Sequence, residues 1–252
     1  MTHVAKASPH AALLADLRER IRRLEQPTPR ARAVLPFGVA ALDAHLPEGG
    51  LRIGALHEVA GGGADAVPGA AAALFAAGVL ARLVGPVLWC GTAGDLYAPG
   101  LSLAGLASAR VLHVAAADEK SVLLVMEEGL RARGLAAVVG ELARLPMTAS
   151  RRLHLAAETS GTLALALRRR REGQAEDAGL TAAVTRWRIT PLPSAPLPCP
   201  GIGRARWQVE LLRCRGGEAA NWTMEAADAQ GRLALFADLA DRPAAAAAGR
   251  AA

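Results

Sequence analysis

Apolar residues near the start of the chain recur at helical spacing. In residues 11–25, AALLADLRERIRRLE, the side chains Leu13, Leu14, Leu17, Ile21 and Leu24 share one face, and Asp16, Arg18, Glu19, Arg22 and Arg23 lie largely elsewhere. This pattern predicts an amphipathic helix. Pro27 and Pro29 then break it and form a semi-rigid spacer. Residues 51–60 read as a strand that runs into a glycine-rich turn, and residues 67–84 as the helix that follows. The apolar runs PVLWCG (86–91), RVLHVAA (110–116), LAAVVGE (135–141) and TLALALRR (162–169) predict buried strands. Helices are expected over 119–133 and from a cap at Thr148 or Ser150 to about Thr159.

From residue 50 to 170, strand and helix alternate at βαβ spacing. That predicts a mostly parallel sheet covered by helices on both faces. A charged loop, RRRREGQAEDAG (168–179), ends this regime. Beyond it, AAVTRWRI, ARWQVELLRCR, NWTMEAA and RLALF read as short strands joined by proline- and glycine-rich turns, a meander extending the sheet in antiparallel fashion. The expected organisation is an N-terminal helix and linker (1–32) and one α/β domain (33–240). The domain divides into a parallel core (33–178) and a β extension (179–240), and a low-complexity, disordered tail follows (241–252).

Composition narrows the chemistry. Of 252 residues, 59 are alanine and only 3% are aromatic, so the core is built from closely packed Leu, Val and Ala. There are 27 arginines and two lysines, Lys6 and Lys120, so any lysine-dependent chemistry has two candidates. Charge is uneven: residues 1–35 carry seven basic and three acidic groups, 36–150 seven and ten, and 151–252 fifteen and ten. Basic ends around an acidic middle suit a nucleic acid or an acidic protein partner, and solvated surface arginine explains them equally well. Cys90, Cys199 and Cys214 form neither a disulfide framework nor a zinc pattern, and the six histidines show no paired ligand spacing, so no metal is expected. The most apolar run, 69–85, contains Arg82 and reads as a core helix; no signal peptide or membrane span is expected, and the compartment is a reduced cytoplasm.

A strand, a glycine-rich turn and a helix are the architecture of a phosphate-binding loop. The turn GGGADAVPGAAAALF begins at Gly61. A working loop reads G-x-x-x-x-G-K-[ST], with the lysine on the phosphates and the hydroxyl on magnesium. Here Ala70 and Ala71 follow Gly69, and Pro68 removes an N–H donor. Gly61, Gly62, Gly63, Gly69, Ala70 and Ala71 thus make a degenerate nucleotide loop. The metal-holding aspartate expected at the end of an apolar strand is also missing, because LAAVVGE ends in Gly140 and Glu141. Hydrolysis of ATP is therefore not expected and no catalytic residue or cofactor is assigned. Nucleotide binding without hydrolysis stays open, since N–H groups at a helix N-terminus still attract phosphate.

The run FGVAALDAHLPEGGLRIGALHEVAG resembles the opening of a RecA-type core. ARLPMTASRRLHLAAETSGTLALALRR resembles the central stretch of the bacterial ImuA family, and TRWRITPLPSAP and RARWQVELLRCRGG resemble its C-terminal signature. The resemblance spans residues 35–236. It implies a RecA-like α/β fold, a mostly parallel sheet flanked by helices and extended by a C-terminal antiparallel β meander. It also implies an accessory role in error-prone translesion synthesis within the SOS response to DNA damage. The implied partners are ImuB, a catalytically inactive Y-family polymerase relative; RecA; and, indirectly, a DnaE-type error-prone polymerase. The protein would be cytoplasmic, and associated with the nucleoid when recruited. The RecA glutamate that activates water would fall within CGTAGDLYAPG, which offers only Asp95. Two alternatives are a SulA-like cell-division inhibitor and a RecA-type ATPase that retains nucleotide binding.

Three further sets of residues are candidates. Arg186, Trp187, Arg188, Arg204, Arg206 and Trp207 interleave basic and aromatic groups as single-stranded DNA sites do. On strands the same pattern can send the tryptophans inward and leave the arginines in water. Leu13, Leu17, Ile21 and Leu24, with Arg213 and Arg215 of LLRCRGG, are candidates for a partner interface, against the bland alternatives of intramolecular packing and a solvated strand face. His154 and Glu158 read as an i, i+4 surface pair rather than part of a triad with Ser160.

Overall fold

The structure is a computed structural model that describes residues 33–63, 66–92, 94–169, 179–194, 201 and 203–236. The N-terminal stripe Leu13, Leu17, Ile21 and Leu24 and the C-terminal tail lie outside the described residues. Strands β1 (Val34–Leu35) and β2 (Leu51–Arg52) pair antiparallel as a small ribbon, with the short helix α1 (Ala40–Asp43) between them. The Asp43 carboxylate accepts the backbone N–H groups of Phe37 at 2.6 Å and Gly38 at 2.9 Å, which closes the turn and lets Phe37 enter the core.

The parallel part is built by β3 (Leu56–Gly61), α2 (Ala66–Ala81), β4 (Val87–Gly91), α3 (Ala98–Leu103), β5 (Val111–Ala115), α4 (Glu119–Arg131), β6 (Ala137–Leu142), α5 (Met147–Ser160) and β7 (Leu163–Arg168). It continues through β8 (Thr185–Leu192), β9 (Arg206–Cys214), β10 (Ala220–Glu225) and β11 (Ala234–Leu235). All nine strands from β3 form one sheet, in the order β11-β10-β9-β8-β3-β7-β6-β4-β5. The six from β8 to β5 are parallel and the last three run antiparallel. Strands β6 and β7 are buried at every residue, as expected for strands covered on both faces.

The antiparallel extension begins one strand later than the sequence reading places it. Strand β8 lies parallel to β3, with Thr185 beside His57 and Ile189 beside Gly61. Strand β7 ends at Arg168 and β8 begins at Thr185, so sixteen residues separate these two parallel strands. A parallel connection needs a dozen or more residues, and this charged stretch is long enough to supply them. The α5 cap also differs: its N-cap is Pro146, and Ser150 instead donates to the Met147 carbonyl at 2.8 Å and accepts the Ala182 N–H at 3.0 Å.

Each face has its own core. On one side α2 covers Val59, Trp89, Val139, Leu165, Trp187 and Val209. On the other, α4 and α5 cover Leu56, Cys90, Val138, Ala164 and Ala166. Alanine lets α2 lie close: a Cβ added at Gly78 would sit 2.5 Å from that of Ala227. The few aromatics concentrate on the α2 side, where Phe37, Phe75 and Trp187 have ring centroids 5.4–6.0 Å apart. Helix α4 starts on Asp118, whose carboxylate accepts the Ser121 N–H at 2.7 Å, and α5 ends on Gly161 in the left-handed region at φ 76°.

His57 is fully buried beneath this core and is held in one tautomer by its partners. Its Nε2–H donates to the Arg52 carbonyl at 2.8 Å, and its Nδ1 accepts the Thr185 hydroxyl at 2.8 Å. Thr185 in turn accepts the Trp187 indole N–H at 2.8 Å. Burial pushes the imidazole down from 6.5 to about 4. Between those values the unfolded chain binds a proton that the folded chain does not. The contribution is complete above pH 6.5 and is lost as pH falls toward 4, by about 3 kcal/mol for this one group. Urea titrations at pH 7 and pH 4.5 should show this loss, and His57→Gln should flatten the difference between them. An unchanged pH dependence in the variant would refute the assignment.

Candidate functional site

The glycine-rich turn stands where the sheet places phosphate loops, between β3 and α2 on the side where parallel strands end. The Gly62 N–H continues the ladder by donating to the Ile189 carbonyl at 2.8 Å. A Cβ at Gly61 would fall 2.6 Å from the Pro68 carbonyl oxygen, and one at Gly62 would fall 1.8 Å from Thr190 Oγ1. These two glycines are therefore required by close packing of the turn against α2 and β8. Ala70 is exposed, and Ala71 is buried in the core where a working loop has its hydroxyl.

The two carboxylates that stand where catalytic acids are expected lie next to this turn, and Glu141 is buried rather than solvated. Glu141, on β6, is 5% exposed and accepts the Trp89 indole N–H at 2.8 Å. Asp95 follows β4. Both are held by Arg169, which leaves β7: its Nε lies 3.3 Å from Glu141 Oε2 and its Nη2 bonds Asp95. Arg169 was hidden in the sequence inside a run of four arginines that reads as a charged loop. Strand order separates it from its neighbours. Consecutive residues at a strand end point to opposite faces, and β7 lies between two strands that each carry a buried glutamate. Arg168 faces the α5 side and lies 3.2 Å from Glu58 Oε2, while Arg169 faces the α2 side.

Glu58 also receives the Thr181 hydroxyl and lies 3.4 Å from Arg186 Nη2. This buried cluster pins the end of the crossover to β3. Its removal in part would leave a charge unpaired, at a cost of about 3–5 kcal/mol.

The aromatic half of the candidate DNA strip is corrected by burial. Trp187 and Trp207 are 1% and 2% exposed and pack with Phe75 in the core, so neither presents a face to a base. Alternation along β8 and β9 sends Arg186, Arg188 and Arg206 to the opposite face. There Arg188 forms a two-pronged pair with Glu210 at 2.7 Å, and Arg186 donates to the Gly179 carbonyl at 2.7 Å. Arg204 bonds Glu225 at 2.9 Å, and the Arg206 guanidinium lies 3.5 Å from the Phe236 ring centroid. In the candidate partner pair, Arg213 donates to the Thr181 carbonyl at 3.0 Å and Arg215 is exposed just after β9. The His154–Glu158 surface pair is replaced as well. Glu158 bonds Arg52 at 2.8 Å, while buried His154 accepts the Leu56 N–H at 3.4 Å and burial lowers its pKa.

Other reactive groups are quiet. Burial pushes the Cys90 thiol up to about 12, and the thiol donates to the Val139 carbonyl at 3.2 Å, so it is not a nucleophile at neutral pH. Among the described residues no group of three His, Cys, Asp or Glu side chains is placed to hold a metal, and no helix is long and apolar enough to cross a membrane. The Arg188–Glu210 pair is a structural tie first. Arg188→Glu should lower stability by about 1 kcal/mol, as two half-exposed like charges oppose each other, and adding Glu210→Arg should restore it. Chemical denaturation of the single and double variants measures this, and a loss that the swap does not recover would argue against the tie.

No protein-family model matches the chain. It is 41% identical over 213 residues to Protein ImuA of Caulobacter vibrioides strain NA1000 / CB15N, a match spanning 81% of this chain and 86% of that protein. The same figures hold for Protein ImuA of strain ATCC 19089 / CIP 103742 / CB 15. Among solved structures, the crystal structure of the RadB recombinase aligns with a TM-score of 0.55 at 15% identity, covering 79% of this chain and 98% of that one, a likeness of fold. With its RecA-like sheet and an identity sustained over four-fifths of its length, the chain belongs to the ImuA family.

Proposed function

We propose that the protein is a non-catalytic RecA-like accessory factor of an inducible mutagenesis complex, supporting error-prone translesion synthesis by binding ImuB, RecA or both. The observation that carries the non-catalytic part is the state of the site. No lysine follows Gly69, and both carboxylates near the turn are engaged by a guanidinium of the same chain. Family membership supports the rest, through what the ImuA resemblance implies. A cytoplasmic location and indirect contact with a DnaE-type polymerase belong to the same reading.

A core that does not turn over nucleotide still presents surfaces to neighbours, and these are where its function lies. The apolar stripe Leu13, Leu17, Ile21 and Leu24 suits helix-in-groove docking, in which each well-buried leucine contributes about 1.5–3 kcal/mol before ordering costs. Purified protein should release no phosphate from ATP above background, with or without single-stranded DNA. Leu17→Asp with Ile21→Asp should keep the circular dichroism of the folded chain and abolish co-purification with ImuB and RecA. Retained binding to both would move the docking surface elsewhere, and turnover lost on Gly69 substitution would make the protein an ATPase. A SulA-like inhibitor would instead co-purify with a cell-division protein and with neither of these.

A further inference from the structure

We infer that Arg169 is the resident cation of the degenerate nucleotide site, a guanidinium built into the chain that ties together the strand ends which a bound nucleotide and its metal would otherwise join. The inference rests on reading this turn as a nucleotide site that has lost its lysine and hydroxyl.

The geometry is specific. The Arg169 backbone N–H donates to the Leu142 carbonyl at 2.9 Å, so the residue is anchored to β6 before its side chain begins. Its guanidinium then spans two carboxylates from different strands, Glu141 on β6 and Asp95 after β4. It also lies against the first turn of α2, where a Cβ at Gly69 would be 3.7 Å from Nη1. One side chain thus joins β6 to the loop after β4, beside the first turn of α2, while leaving β7.

Charge explains why a cation is needed here. Glu141 is buried, and the Trp89 indole is one neutral donor. A buried carboxylate needs a charged partner to stay ionised. A lone cation would be poorly placed beside the positive end of α2. The Asp95–Arg169–Glu141 group answers both demands, since two carboxylates and one guanidinium carry a net negative charge that suits a helix N-terminus. The planar fork of arginine reaches both acids at once, which the single ammonium of lysine would not.

The start of the turn is tightly packed as well. Gly61 and Gly62 pack against Pro68 and Thr190 at distances that leave no room for a Cβ.

The test is a double-mutant cycle on the full-length protein, read as Tm at neutral pH. Arg169→Met should lower Tm by roughly 5 °C or more, because it leaves the buried Glu141 without its ionic partner. Glu141→Gln keeps an acceptor for the Trp89 N–H and removes the charge. Added to Arg169→Met, it should recover more than half of the loss. Arg169→Lys, the milder variant should the methionine variant fail to fold, should fall between the two and be rescued in the same direction. Magnesium ATP at millimolar concentration should leave the wild-type Tm unchanged. Losses that merely add in the double variant, an Arg169→Met protein as stable as wild type, or a wild-type Tm raised by magnesium ATP would each overturn the inference. Phosphate release by the wild type is a separate result: it would defeat the non-catalytic reading, whereas failure of the rescue defeats the role of Arg169.

Discussion

Two consecutive arginines at the end of β7 hold the middle of this sheet together. Strand β7 lies between β3 and β6, and each neighbour carries a glutamate that burial would otherwise make intolerable. Glu58 faces α5 and Glu141 faces α2. Because successive strand residues alternate, Arg168 reaches the first and Arg169 the second. One dipeptide thereby neutralises a buried acid on each face of a parallel sheet whose interior is otherwise Leu, Val and Ala. The alternation of LALAL, with Leu163, Leu165 and Leu167 on the α2 face, resists a slip of one residue, because such a slip would send the leucines to the other face.

The composition shapes the two faces differently. Alanine is small enough for α2 to lie close to the strands, and the space left above β8 and β9 is filled by the few large rings. Phe37, Phe75, Trp187 and Trp207 occupy it, with Trp187 centroids 5.4 Å and 5.8 Å from those of Phe37 and Phe75. These rings join α2, the α1 turn and the C-terminal strands into one core. The antiparallel extension is continuous with the parallel core, and β8 belongs to both.

Much of this was legible in the sequence. Each strand expected from residue 86 onward is found within about three residues of its expected bounds, and helices stand at 66–81, 119–131 and 147–160, close to the spans the sequence predicts. What stayed hidden depends on direction and partners rather than on local pattern. Nothing in AAVTRWRI says whether β8 runs parallel or antiparallel; that is set by which end of the sheet the crossover reaches. Trp187 and Trp207 between arginines look like a stacking platform, and period-two alternation puts them in the core instead. Arg169 looks like one of several solvated charges because its acids, Asp95 and Glu141, are distant in sequence. The candidate loop itself was legible, since its lack of lysine and hydroxyl is a matter of residue identity alone.

The excess of arginine over lysine acquires a physical meaning once the partners are known. Arg110 closes the C-terminal end of α2 by donating to the carbonyls of Leu80, Ala81, Leu83 and Gly85, from three nitrogens of one side chain. These carbonyls lie in or just beyond the last turn, where helical N–H donors run out, although Leu80 also accepts the Leu83 N–H at 3.2 Å; the guanidinium also suits the negative end of the helix dipole. Arg82 donates to the Pro36 carbonyl and lies 5.2 Å from the Phe37 ring centroid. Arg188 grips Glu210 with two nitrogens, and Arg169 bridges two acids. Each of these ties uses the planar fork or the flat face of the guanidinium, and an ammonium would satisfy at best one part of it. Basic composition is therefore a poor footprint for nucleic acid in this protein. Many of its cations are internal fasteners, and a surface that meets a partner has to be sought among those, such as Arg215, whose side chains stand exposed.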